Sequence, residues 1–143
     1  MIYLDASYIV KCYLREVGTS EVMALVQGSA GCSSAAHART EVWSGIHLRI
    51  SDRTLSLSNA RDVWRQFEHD EALGVWRWLP LAQNIIKRAC NVFEKLPPDV
   101  FLRSSDALHL ACASENHFAN VYSSDRVLLG VAPHFGLDGV NVY

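Results

Sequence analysis

Short apolar runs alternate along this chain with longer stretches of helical periodicity. Ile2, Tyr3 and Leu4 predict a short buried strand that stops at Asp5. Ser7 is placed to cap a helix over residues 7–16, with Ile9, Val10, Tyr13 and Leu14 on its apolar face and Gly18 beyond its end. Thr19 caps a second helix, with Val22, Met23, Leu25 and Val26 facing inward and Gly28 closing it. Residues 31–34 read as a second strand or a strand-to-helix turn, but the run is poor in hydrophobic side chains. Val42, Trp43, Ile46 and Ile50 give a helix over 35–50. Leu57, Ala60, Val63, Trp64 and Phe67 give another over 54–72, and the two can form an αα-hairpin protruding from a sheet. Residues 75–79 read as a strand ended by Pro80, and 81–96 as a helix stopped by Pro97 and Pro98. Ser104 or Ser105 is a fair N-cap for the Ala- and Leu-rich helix that carries Asp106 in its first turn. Residues 121–124 form a short strand with Asp125 directly after it, 126–131 a helix, and 139–143 a last strand. This alternation predicts an α/β protein with a parallel sheet and helices on both faces.

Composition narrows the picture without naming an activity. The 143 residues fit one domain over 1–143 with a real core, and no repeat or linker interrupts it. A net charge of -2 carries no basic footprint for nucleic acid, yet a metal ion can bridge an acidic pocket to phosphate, so a nuclease stays open. Cys12, Cys32, Cys90 and Cys112 form no closely spaced pair, which argues against a zinc ribbon and for buried free thiols in a reducing cytosol. Asp5 breaks the first apolar run too early for a signal peptide, and no run approaches the roughly 20 apolar residues that span a bilayer. A soluble, cytoplasmic protein without membrane contact is expected.

The acidic residues carry the chemistry. Asp5 and Asp125 each follow a predicted strand, which puts both on the carboxyl edge of a parallel sheet, where open α/β folds bind ligands. Asp106 opens a helix near that edge, and the longer side chain of Glu41 can reach in from its own helix. Gathered carboxylates repel, and a divalent cation removes that penalty. Oxygen ligands favour Mg2+ or Mn2+ over zinc, and such a site can polarise a phosphodiester and activate water. Each residue alone also reads as a helix cap, a helix N-terminal charge or a solvated side chain. The residues by themselves therefore stop at an α/β protein with a candidate acidic metal site.

The motifs go further. Tyr3-Leu4-Asp5-Ala6-Ser7, the stretch from Ser33-Ser34 to Glu41, the segment Arg103-Ser104-Ser105-Asp106-Ala107-Leu108-His109-Leu110-Ala111, and Tyr122-Ser123-Ser124-Asp125 together resemble the PIN domain. The likeness is greatest to stand-alone PIN toxins of the VapC type, and the Asp-Ala-Leu-His-Leu-Ala run is its most specific part. The resemblance implies a three-layer α/β/α fold with a central parallel sheet. It implies a Mg2+- or Mn2+-dependent ribonuclease with Asp5, Glu41, Asp106 and Asp125 as the catalytic acids. Asp5, Asp106 and Asp125 would centre the metal, and Ser7 and Ser124 would orient carboxylates or water. It also implies a homodimer held inactive by a VapB-like antitoxin, with RNA as substrate. A PIN nuclease of RNA processing or DNA cleavage, and a non-catalytic PIN-like binding module, remain alternatives.

Other polar residues have plainer readings. His109 lies one turn from Asp106 and suits a buried hydrogen-bonding role better than acid–base work. Arg103 can pair with a carboxylate or touch phosphate. Lys11, Arg15, Arg49, Arg53, Arg61 and Arg65 suit solvated faces better than an RNA path. Trp64, Trp76 and Trp78 suit packing better than base stacking.

Overall fold

The computed structural model describes residues 1–143. Its elements run β1 (Ile2–Leu4), α1 (Ala6–Lys11), α2 (Thr19–Gly28), β2 (Cys32–Ala35), α3 (Ala38–Ser51), α4 (Leu57–Ala72), β3 (Trp76–Leu79), α5 (Gln83–Lys95), α6 (Ser104–Glu115), β4 (Asn120–Tyr122), α7 (Arg126–Val131), a 3-10 helix (Ala132–Phe135) and β5 (Asp138–Val140). The strands form one five-stranded sheet in the order β3-β2-β1-β4-β5, and every pairing is parallel.

Alternation along β1 to β4 feeds two cores, one on each face. Tyr3 of β1, Ala35 of β2, Leu79 of β3 and Val121 of β4 join the core built with α5, α6 and α7. Leu4, Cys32 and Trp76 join the opposite core, built with α1, α3 and α4. Helix spacing matches this division: Ile85, Ala89 and Val92 recur along one side of α5, and Val42 and Ile46 along one side of α3. The α/β/α expectation therefore holds.

The strand order has a consequence for function. The chain steps outward from β1 through β2 to β3, then returns to place β4 on the other side of β1. The switch point lies between β1 and β4, and the crevice beyond the carboxyl ends of such a strand pair is the usual ligand site of open α/β sheets. Asp5 leaves β1 into this crevice, and Ser123 to Asp125 leave β4 into it.

Several local expectations change. The first helix ends at Lys11, because the Lys11 ammonium donates to Glu16 (3.1 Å) and to the Val17 carbonyl (3.0 Å) and folds the chain back. Lys11 is accordingly buried and lies on no solvated face. The cap of α1 is Asp5, which accepts from the Tyr8 amide, and Ser7 sits inside the helix. Gly18, in the left-handed region at φ 84°, caps α2 in place of Thr19. A side chain at Gly18 would strike the ring of Tyr143. Arg103, without a side-chain cap bond, precedes α6 where a serine cap was expected. Residues 31–34 do contain a strand, and it is fully buried: the Ser34 hydroxyl donates to the Leu4 carbonyl at 2.6 Å, which removes the cost of burying it. The α3–α4 pair contributes Val42, Ile46, Ala60 and Phe67 to the core and so covers the sheet rather than projecting from it. Cys32 and Cys112 are buried, but Cys90 is exposed and Cys12 only partly buried, contrary to the expectation of four buried thiols. Trp76 is buried, Trp78 packs on Phe67, and Trp64 stacks on Trp43 at 5.0 Å.

Candidate active site

Asp5 anchors the site. The extended backbone at Asp5 ends β1 and starts α1, which turns the carboxylate back over the helix N-terminus. One oxygen accepts from the Ser7 hydroxyl (2.7 Å) and the Tyr8 amide (3.2 Å), and the other from the Ser123 hydroxyl (2.7 Å). The Ser7 oxygen in turn accepts from the Ser124 amide (3.1 Å) and pairs with the Ser124 hydroxyl (2.8 Å). Asp5 is 6% exposed. Burial raises its pKa, against the pull of the His109 charge and these hydrogen bonds. Ser7 therefore touches the acid directly and Ser124 supports it through Ser7. The second direct hydroxyl is Ser123, which the sequence reading passed over. Its signal was the run of hydroxyls after Tyr122, in which the first serine leaving β4 faces β1.

Asp125 caps α7, with one oxygen accepting from the Val127 (2.8 Å) and Leu128 (3.3 Å) amides, and its own amide donates to the Ser123 hydroxyl at 2.9 Å. Asp106 enters from the first turn of α6. Arg103, three residues earlier, bridges the two: its Nε donates to Asp106 at 2.9 Å and its Nη2 to Asp125. Burial raises the Asp106 pKa, Arg103 opposes that, and the Asp125 charge adds to it. Arg103 is thus a carboxylate partner here, and its side chain is 55% exposed.

Glu41 reaches the same neighbourhood from α3 but is held differently. It accepts from the Ser105 hydroxyl and from His109 Nε2 (2.7 Å). Burial would raise its pKa, but the bonds and charge of His109, with Ser105, bring it down to about 2. An ionised carboxylate only accepts, so Nε2 of His109 carries a proton in this contact. His109 Nδ1 faces the Tyr3 hydroxyl at 3.0 Å, and that hydroxyl accepts from the Ala35 amide. His109 is buried, as expected, and it also bonds one of the four candidate acids.

The chain of contacts thus runs from Asp5 through Ser123 to Asp125, across Arg103 to Asp106, and beside it from Ser105 to Glu41. The four acids share one edge of the molecule, but they do not close on a common point. The one group of three whose ligand atoms lie within 4.8 Å of one another is His37, Glu41 and His109. His37 was not singled out by sequence; its partner His109 is far along the chain, and only folding brings the rings to 4.3 Å.

Comparison with known proteins places this geometry in a family. The PIN domain profile matches residues 2–132. No curated protein sequence matches the chain. Among solved structures, it is similar to FitAcB from Neisseria gonorrhoeae, with 17% identity, a TM-score of 0.73, and coverage of 99% of this chain and 97% of that one. It is also similar to VapC20 from Mycobacterium tuberculosis, a sarcin–ricin-loop-cleaving toxin, with 16% identity, a TM-score of 0.66, and coverage of 92% and 95%. A toxin–antitoxin complex from Klebsiella pneumoniae gives 15% identity, a TM-score of 0.67, and coverage of 100% and 98%. No helix of the chain is long and apolar enough to cross a membrane. With the profile spanning nearly the whole sequence and the switch-point acids in place, the chain belongs to the PIN domain family.

Proposed function

We propose that residues 1–143 act as one PIN domain: a Mg2+- or Mn2+-dependent endoribonuclease, the toxin of a toxin–antitoxin pair, working in the cytoplasm. The observation that carries this reading is the state of the three aspartates. Asp5 is buried at the switch point with only neutral hydroxyl and amide donors, while Asp106 and Asp125 share a single guanidinium. That is a surplus of negative charge at a ligand-binding edge, built from oxygen donors alone, and a hard divalent cation fits such a donor set. Asp5, Asp106 and Asp125 would hold it, with Glu41 completing the acidic set.

When bound, such an ion supplies charge neutralisation for a phosphodiester and a more acidic water. The protein's own residues do the rest. Ser7 and Ser123 fix both oxygens of Asp5, and Ser124 fixes Ser7, so the carboxylate is set before substrate arrives. Arg103, once released from Asp106 and Asp125, stands at the rim with a guanidinium suited to phosphate. The named neighbours support RNA as the substrate and a VapB-like antitoxin as the partner, and the homodimer rests on the resemblance of the motifs to PIN toxins.

The test is cleavage of total cellular RNA by the purified protein with Mg2+, with Mn2+ and with chelator, beside Asp106→Asn. Discrete fragments that vanish with chelator and with the variant are expected. A folded, metal-loaded protein that leaves all RNA intact would overturn the ribonuclease reading.

A further inference from the structure

The corner between α3 and α6 holds a donor set unlike the aspartate edge beside it. His37 stands at the start of α3 and Glu41 one turn on, so both project from one face of the helix, the spacing by which helical histidines and carboxylates chelate. His109 enters from α6. Glu41 Oε2 lies 2.7 Å from His109 Nε2 and 3.9 Å from His37 Nε2. In a tetrahedral site with bonds near 2.1 Å, ligand atoms sit about 3.4 Å apart, a value these two distances straddle. A second, independent observation points the same way. Both ring nitrogens of His37 are buried without a hydrogen-bond partner, although the Ser105 backbone carbonyl lies near. The His37 side chain is 17% exposed, but its two ring nitrogens are shut off from solvent, and a metal bond is one way to satisfy one of them.

We propose that His37, Glu41 and His109 form a binding site for a borderline divalent cation of the zinc class, separate in chemistry from the hard-cation edge. Two imidazoles and one carboxylate suit Zn2+ or Co2+, whereas Mg2+ avoids nitrogen ligands. His109 binds through Nε2, and its ring proton then sits on Nδ1, where the Tyr3 oxygen faces it at 3.0 Å. A hydrogen bond behind a ligating histidine is the usual support of such sites. Three protein ligands leave a fourth position for water.

The site shares Glu41 with the acidic set. Every side-chain bond of Glu41 goes to Ser105 or His109, none to an aspartate or its partners. Zinc held here keeps Glu41 out of the neighbouring edge. This consequence rests on the nuclease reading: zinc inhibits Mg2+-dependent cleavage. The binding itself does not depend on that reading.

The experiment is a titration of the untagged, chelator-stripped chain with Zn2+ in competition with a chromophoric indicator, alongside Co2+ spectra. One zinc per chain is expected, with Co2+ d–d bands of nitrogen–oxygen ligation and no thiolate charge transfer. His37→Gln weakens zinc at least about 10-fold, as does Glu41→Gln, while Asp106→Asn binds zinc like wild type. Melting temperatures of the metal-free variants establish that they are folded. Absence of stoichiometric zinc, thiolate absorption, or undiminished affinity in the two triad variants would overturn the proposal. Zinc binding in a protein that cleaves no RNA would sustain it and sink the nuclease reading alone.

Discussion

Asp5 and Glu41 are both carboxylates drawn into the protein near one edge, and they have opposite electrostatic fates. Asp5 is met by two serine hydroxyls and an amide, and its pKa is raised by burial. Glu41 is met by an imidazole and one hydroxyl, and despite burial its pKa falls to about 2. Asp5 is the more deeply buried of the two, at 6% against 30% for the Glu41 side chain, yet desolvation raises the pKa of both, so burial alone does not give them opposite signs. The partners do. Hydroxyls and amides fix a carboxylate in place but bring no full charge, and leave it seeking a cation; a nearby imidazole goes much of the way to satisfying it. Asp106 and Asp125 are held differently again, joined to a cation that is more than half exposed and free to leave.

The sharpest way to break this contrast is Asp5→Asn. The amide keeps much of the size and one acceptor but loses the charge, so RNA cleavage is expected to drop by about 100-fold or more, the order of a lost contact worth several kcal/mol to a reacting charge. Rates in Mg2+ with folding checked by circular dichroism would decide it; near-wild-type cleavage would mean that Asp5 is only a helix cap. His109→Gln comes next. It strips Glu41 of its imidazole and Tyr3 of a buried partner, and is expected to cost about 2 kcal/mol in urea unfolding. A loss within error would show that Glu41 does not rely on His109.

The two acids also predict opposite slopes with pH in chelator. The folded pKa of Glu41 is depressed, so its contribution is full above the unfolded value near 4.3 and is lost as pH falls through that value towards 2. The folded pKa of Asp5 is raised, so ionised Asp5 burdens the fold at neutral pH, and acidification through its folded pKa towards the unfolded value relieves that burden. Melting temperatures of Glu41→Gln should therefore lose part of the acid fall, and those of Asp5→Asn should lack the relief. Parallel curves for the two variants would undo the comparison. Smallest in stability is Arg103→Gln, an exposed ion-pair change expected to shift unfolding by less than about 1 kcal/mol. The same variant should bind Mn2+ more tightly by isothermal titration, because a competing cation is gone; weaker binding would show that Arg103 organises the aspartates instead.

Much of this arrangement was legible in the sequence, for a physical reason. Asp5 and Asp125 follow strands, and a parallel sheet collects everything that follows its strands on one edge. What stayed hidden depended on contacts between distant segments. β2 looked too polar for a central strand because the acceptor for Ser34 is a carbonyl of β1. Arg103 was readable as a carboxylate partner of Asp106 by helical spacing, but its reach to Asp125 required the α6–α7 juxtaposition. His37 stands one helical turn before Glu41, a spacing too common to mark it alone, and the third member, His109, belongs to another helix.

The pairing of β1 with β4 has a temporal meaning as well. β1 is synthesised before the other strands of its sheet, and its neighbour on the Asp125 side arrives 118 residues after Asp5, measured to the Ser123 hydroxyl that completes the Asp5 cradle. A nascent chain thus carries Asp5 through the synthesis of the intervening segment without that hydroxyl or Asp125, and through most of it without Asp106. Such non-local closure is slow and comes late in folding. Whatever the edge does to a substrate, it cannot begin while the ribosome is still making the chain up to β4, so late closure delays the activity by topology alone.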